Sequence, residues 1–225
     1  MKNLNNLIIQ EARPLPVIIL ADSSGSMASD NRIGILNNAI REMLDSLNDE
    51  NSLRADIFIS VISFGGNGAN TVQEFKKSTE IEWTDLTAMG GTPMGKAFDA
   101  VKNLLENKDI IPSRSYAPTL VLLSDGAPTD NWENSLTELL SSNRASKAQR
   151  IAMSIGAGEN GKKVLNKFLG ESDIKVFEAN QARDINKFFR FVTMSVSQRA
   201  KSVNPNEPIS ISYSDVNDDL DNFEF

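Results

Sequence analysis

Apolar and polar residues alternate along the chain in two distinct patterns. Nearly continuous apolar runs occupy residues 17–21, 55–64 and 119–123, and their β-branched and aromatic residues are typical of buried strands. Between them, apolar residues recur every three or four positions, from Ile33 to Leu47 and again from Met94 to Leu105, as they do in amphipathic helices. Strands and helices are therefore predicted to alternate.

The same alternation continues in the second half of the chain. Residues 150–155 and 175–177 are predicted as two more strands, with a short helix over residues 163–169 between them. Asp130 is placed to cap a helix that directs Trp132, Leu136, Leu139 and Leu140 inward, and Asp184 is placed to open the last helix.

Weaker signals concern the middle of the chain. Residues 65–70 are rich in turn formers and predict a loop, and residues 71–75 predict a short edge strand. Pro93 suits the first position of a helix.

This order of elements predicts an α/β fold, a doubly wound and mostly parallel sheet with helices on both faces. Such sheets bind ligands beyond the carboxyl ends of their strands, at a topological switch point. We expect one domain over residues 1–202, with its core at 14–199. From residue 203 the chain gains proline, Asn, Ser and Asp and loses its cations, which predicts a flexible acidic tail over 203–225.

The composition excludes several kinds of metal site and catalytic site. The chain has no cysteine and no histidine, which excludes disulfides, thiolate or imidazole metal sites, and catalysis by a Ser-His-Asp or Cys-His set. The net charge is −7, and six acids with no Lys or Arg follow Lys201. No basic face indicates nucleic-acid binding, and no apolar run is long enough for a membrane span. The amino terminus lacks the long apolar core and small-residue cleavage site of a signal peptide. We therefore expect a cytoplasmic protein.

The candidate chemistry lies just past the predicted strand ends. Asp22, Ser24 and Ser26 follow the first strand, Thr92 follows a Gly-Gly turn, and Asp125 follows the strand at 119–123. Hard oxygen ligands of this kind suit Mg²⁺ or Mn²⁺ better than zinc or copper. A strand-to-helix turn capped by hydroxyls would explain the first three residues without a metal, and Thr92 could be a helix cap before Pro93. Ser23 and Ser124 alternate away from this set and are predicted to be structural.

The spacing Asp22-x-Ser24-x-Ser26, with the later Thr92 and Asp125-Gly126, resembles the metal-ion-dependent adhesion site of von Willebrand factor type A domains. The resemblance covers residues 14–199, and all five positions match in chain order. The segments around Thr92 and Asp125 look especially similar to bacterial tellurium-resistance proteins of the TerY type. Some of those proteins carry a cysteine-rich zinc module, which this chain lacks.

The resemblance implies that Ser24, Ser26 and Thr92 offer hydroxyl oxygens to Mg²⁺ or Mn²⁺, with Ca²⁺ a poorer fit. Asp22 and Asp125 would act through water or orient the hydroxyls, and one position would stay open for a partner's carboxylate. The implied protein is a binding module and not an enzyme. It would be a scaffold or regulator in bacterial stress response or phage defence, beside kinase-like or phosphatase-like proteins.

Two enzyme readings compete with this one. Residues 156–162 fit the nucleotide-binding pattern G-x-G-x-x-G after a strand, and Glu178 lies where a ribose-binding acid would be. The other candidate is a Mg²⁺-dependent phosphatase that uses Asp22. Such an enzyme needs Asp-x-Asp, with the second Asp as the acid or base, and this chain has Ser24 at that position.

The acidic tail has three interpretations. It could be solubilising, it could place one of its carboxylates in the open metal position, or it could dock on another protein through Phe223 and Phe225.

Overall fold

The computed structural model of the protein describes residues 12–48, 54–171 and 174–207. Within these ranges a six-stranded sheet has the order β3-β2-β1-β4-β5-β6, and every neighbouring pair is parallel except β2 with β3. The strands are β1 (Arg13–Asp22), β2 (Ala55–Gly65), β3 (Gly68–Lys77), β4 (Thr119–Ser124), β5 (Gln149–Ser154) and β6 (Phe177–Glu178). The helices are α1 (Arg32–Asn48), α2 (Met94–Glu106), α3 (Glu133–Ser141), α4 (Glu159–Leu169) and α5 (Ala182–Lys201). The predicted fold class is confirmed.

Side chains that alternate along the strands enter two separate cores. On one face Val17, Ile19 and Val121 pack with α1 and α5. On the other face Ile18, Leu20 and Leu122 pack with α2, α3 and α4. Central strands covered on both sides must be apolar throughout, which is why β1 and β4 were recognisable as continuous runs.

The region predicted as a loop at residues 65–70 is instead a tight hairpin. β2 extends to Gly65 and β3 begins at Gly68, so the edge strand covers Gly68–Lys77 and not only residues 71–75. The predicted strand was too short because β3 is largely polar and has one exposed face. Even its buried residue Gln73 is polar, so the apolar pattern of a strand is weak here.

Asp130 caps a helix, but a different one from the helix predicted. Its carboxylate accepts hydrogen bonds from the backbone N–H groups of Gly95 (2.9 Å) and Lys96 (3.0 Å), in the first turn of α2. α3 begins three residues later with Trp132 at its N-cap and no side-chain cap. Asp130 also takes the capping role that Thr92 was a candidate for, and Pro93 is the N-cap residue of α2.

The last described residues fold back onto the amino-terminal edge of the sheet. Arg199, 1% exposed, donates to the carbonyls of Pro205 and Ala117 and to Thr119 Oγ1. Asn206 Oδ1 accepts the backbone N–H of Ala117 at 2.9 Å. The predicted boundary at residue 202 stays a prediction, and residues 208–225 of the predicted tail lie outside the described residues.

None of the helices in the described ranges is long and apolar enough to cross a membrane.

Candidate functional site

The topological switch point of the sheet lies at the carboxyl end of β1. The chain passes from β1 to β2 on one side of it and reaches β4 on the other. Asp22 is the last residue of β1, and Asp125 follows the last residue of β4. The two carboxylates that the sequence singled out therefore lie at the same edge of the sheet.

Asp22 is fully buried and held by two donors. Oδ1 accepts the backbone N–H of Ser24 at 2.8 Å, and Oδ2 accepts the hydroxyl of Ser124 at 2.5 Å. Burial raises the pKa of Asp22 to about 6, and the hydrogen bonds from Ser124 and Ser24 oppose that rise. Ser124, predicted to be structural, orients Asp22, and Ser23 contacts Ser63 through its hydroxyl at 2.6 Å.

The two serines and Asp125 form one oxygen cluster. Ser24 Oγ lies 3.0 Å from Ser26 Oγ, and Ser26 Oγ donates to Asp125 Oδ1 at 2.6 Å. Ser24 Oγ lies at 3.5 Å from the same carboxylate oxygen, at the limit of a hydrogen bond. Ser24 and Ser26, which follow β1, therefore converge with Asp125, which follows β4.

Arg32, the first residue of α1, was not predicted as part of the site. Its Nη1 donates to Asp125 Oδ2 at 3.1 Å, and the side chain of Asp125 is completely buried while that of Arg32 is 28% exposed. The two preceding residues, Asp30 and Asn31, both have positive φ, which marks a strained turn that aims Arg32 inward. A basic residue shortly after a hydroxyl motif was the only signal in the sequence.

Thr92 lies against the Asp125 loop. Its Oγ1 is 3.5 Å from the point that a Cβ on Gly126 would occupy, and the residue is 5% exposed. Its backbone is fixed by Thr129, whose hydroxyl accepts the N–H of Thr92 (3.0 Å) and whose N–H donates to the Thr92 carbonyl (2.9 Å). Thr129, which the sequence analysis did not predict as part of the site, thus joins the Thr92 segment to the loop after Asp125.

Glycines allow the turn after β1, the β2–β3 hairpin and the segment before Thr92 to pack backbone to backbone. Gly90, at a φ of 59°, lies directly against Gly66, where a Cβ would overlap the neighbouring backbone. The N–H of Gly25 donates to the Gly90 carbonyl at 2.9 Å, and the N–H of Met89 donates to the Ser23 carbonyl at 2.8 Å. Met89 is left 59% exposed at this rim.

The glycine-rich segment at residues 156–162 supports the same edge. Gly161, in the first turn of α4, is buried, and a Cβ there would lie 2.7 Å from the Gly126 carbonyl. Lys162 and Glu178 form an ion pair at 3.0 Å. Close packing of α4 on the Asp125 loop therefore explains why residue 161 is a glycine. The ion pair with Lys162 explains the acid at Glu178, so neither residue requires a bound nucleotide.

The donor set fits a hard divalent cation. In the described part of the chain no three carboxylates cluster, and the oxygen donors that a cation at this edge could use include the hydroxyls of Ser24, Ser26 and Thr92. Asp22 and Asp125 supply two negative charges, of which Arg32 offsets one. Oxygen donors suit Mg²⁺ or Mn²⁺ better than zinc or copper.

Comparison with known proteins gives the same fold. Residues 17–127 match the family model of the von Willebrand factor type A domain. The pilus adhesin SpaC from Lactobacillus rhamnosus GG superposes with a TM-score of 0.68 at 16% identity, over 85% of this chain and 31% of the adhesin. A von Willebrand factor type A protein from Catenulispora acidiphila gives 0.60 at 22% identity, over 82% of this chain and 42% of that one.

A third structure is the ArnB paralog VWA2 from Sulfolobus acidocaldarius, with a TM-score of 0.56 at 20% identity, over 83% of this chain and 45% of the other. The chain therefore spans less than half the length of each of these three structures. None of the curated proteins matches the sequence.

Proposed function

We propose, on the premise that residues 17–127 match the von Willebrand factor type A domain, that the protein binds a partner through a divalent metal held by Ser24, Ser26 and Thr92. Asp22 and Asp125 orient these hydroxyls. The metal is Mg²⁺ or Mn²⁺, and the partner contributes a carboxylate. The module is a binding protein and not an enzyme.

One observation carries the proposal: the Ser24, Ser26 and Asp125 oxygens converge, although Asp125 follows β4 and lies about a hundred residues further along the chain. A hydroxyl-capped turn would explain Ser24 and Ser26 alone. It gives no reason for a buried carboxylate from β4 to face both hydroxyls.

The choice of ligands explains why a partner's acid would be recognised. Neutral hydroxyls leave a bound divalent ion with most of its positive charge, so an incoming carboxylate gains a strong charge-assisted interaction. Arg32 adds a further positive charge beside Asp125. Ser26 is exposed, so the cluster is open to solvent on that side.

For the biological setting, the proposal rests on the resemblance of the segments around Thr92 and Asp125 to TerY-type proteins. We place the protein in a bacterial stress-response or phage-defence system, in the cytoplasm, where it would act as a scaffold or regulator. Kinase-like or phosphatase-like proteins of the same system are the first partners to test.

The first experiment titrates Mg²⁺ and Mn²⁺ by calorimetry into the wild type and into a Ser24→Ala/Ser26→Ala variant. We expect saturable binding that the double variant loses. Ser29→Ala is the matched control, because Ser29 lies in the same turn, is exposed and makes no side-chain hydrogen bond among those described. Binding that survives the double substitution, or no binding by the wild type, would contradict the proposal.

The second experiment captures proteins from a lysate on the immobilised wild type, with Mg²⁺ or with EDTA. We expect a partner that is retained only with metal and is absent from the Ser24→Ala/Ser26→Ala column. A partner held equally in EDTA would show that recognition does not use the metal.

A further inference from the structure

We infer that the amino-terminal edge of the sheet, at the opposite end of the strands from the Asp22 site, holds a binding site for a small organic phosphate. A cavity of about 440 Å³ opens there between the start of β1, the end of α2 and the segment before β5. Its polar lining includes Ser115, Arg144 and Lys147, and its apolar lining includes Pro16, Leu105 and Tyr116.

Arg144 supplies the strongest reason to expect an anion. Its Nη1 is buried and has no hydrogen-bond partner within the described ranges. Its backbone N–H donates to Glu106 Oε1 at 3.2 Å, so this acid, which is exposed, is engaged by the main chain. A buried guanidinium N–H without an acceptor is costly, and a ligand oxygen in the cavity would remove that cost.

A second residue that lines the cavity also carries an unpaired buried group. Ser115 Oγ is also buried and has no partner among the residues the structure describes. Lys147 adds a nearby positive charge, with its Nζ donating to Asn143 Oδ1 at 3.3 Å. An arginine, a lysine and a hydroxyl around one space are the donors that a phosphate dianion accepts from.

The apolar wall indicates that the phosphate carries an organic group. Pro16 and Leu105 belong to the sheet and to α2, and Tyr116 presents an aromatic ring whose face is covered by the Arg13 guanidinium at 4.0 Å. Inorganic phosphate would leave most of a 440 Å³ space unfilled. A phosphate ester with a ring or short chain fills both parts of the cavity.

The test is calorimetric titration of the full chain, in EDTA, with phenyl phosphate, inorganic phosphate and benzoate. Phenyl phosphate should bind most tightly, since only it has both a dianion and an apolar body. Arg144→Gln should weaken its binding at least tenfold, and Ser115→Ala should weaken it severalfold. Arg41→Gln, which removes an exposed arginine of α1 paired with Asp85, should change nothing.

Thermal unfolding of each variant without ligand separates a lost contact from a damaged fold. Weaker binding of phenyl phosphate by Arg144→Gln at unchanged Tm would support the site. Unchanged binding of phenyl phosphate by Ser24→Ala/Ser26→Ala would show that the site is independent of the Asp22 edge. No saturable binding, equal affinity for phosphate and phenyl phosphate, or equal weakening in Arg41→Gln would overturn it.

Discussion

Burial sets the chemistry of Asp22, the carboxylate at the end of β1. Its pKa is raised from 3.8 to about 6, so the ionised form is disfavoured in the folded protein by about 3 kcal/mol. Between these two pKa values the folded state holds a proton that the unfolded state has lost. The metal-free domain therefore loses stability as the pH rises through this window, and the loss is complete above about pH 6.

Asp22→Asn should stabilise the metal-free domain. The amide can still accept from the Ser24 N–H and can donate to Ser124 Oγ, and it carries no charge to desolvate. We expect a gain of about 2 kcal/mol at pH 7.5 in EDTA, which disappears near pH 4. Urea denaturation at both pH values measures this, and equal stability at pH 7.5 would contradict it.

At the scale of elements, α4 holds the Asp125 loop in place. Gly161 lies against the Gly126 carbonyl and Ala157 Cβ. Backbone cannot move aside as the end of a flexible side chain can, so an added methyl group must displace the loop that carries Asp125.

Gly161→Ala should therefore lower the Mg²⁺ affinity at least tenfold and reduce the Tm by several degrees. Gly158→Ala is the matched control, since a Cβ at Gly158 meets nothing within 4 Å and its backbone is extended. Calorimetry and thermal unfolding measure both effects. If Gly158→Ala instead abolished binding of ATP or NAD, the nucleotide interpretation of residues 156–162 would be favoured.

Elements with strong periodicity were predictable and contacts between distant loops were not. Buried strands β1 and β4 and the apolar stripes of α1 and α2 follow from local pattern, because each repeats the same constraint over many residues. Asp130 and Arg32 act on other segments, on α2 and on Asp125, and nothing in their local sequence specifies those partners. The sequence singled out Asp22, Ser24, Ser26, Thr92 and Asp125 as one set, but it did not indicate Arg32 and Thr129, which contact Asp125 and Thr92.

At the scale of the molecule, Arg199 joins α5, the start of β4 and the segment after α5. No ion pair balances its charge in the described part of the chain, and burial lowers its pKa to about 10. Its donors are satisfied by the carbonyls of Pro205 and Ala117 and by Thr119. The segment after α5 is thus needed to solvate a buried cation.

A chain that ends after Ser202 should be less stable than one that ends after Glu207, by about 2–3 kcal/mol. The shorter chain loses the Pro205 carbonyl and the contact of Asn206 with Ala117. The longer chain is the control, because it also lacks every residue from 208 onward. Equal midpoints in urea would show that the segment is dispensable.

Both described ends of the domain flank residues 116 and 117, where Tyr116 N–H donates to Pro14 and Ala117 N–H to Asn206. Asp22 and Asp125 lie at the other end of the strands. In a chain limited to residues 12–207, a surface anchor, fluorophore or fusion partner attached at either end would therefore leave the carboxyl-end rim facing outward. Such a shortened domain can be immobilised in one orientation with its Asp22 edge unobstructed, and labels at residues 12 and 207 would report on each other's distance without disturbing that edge.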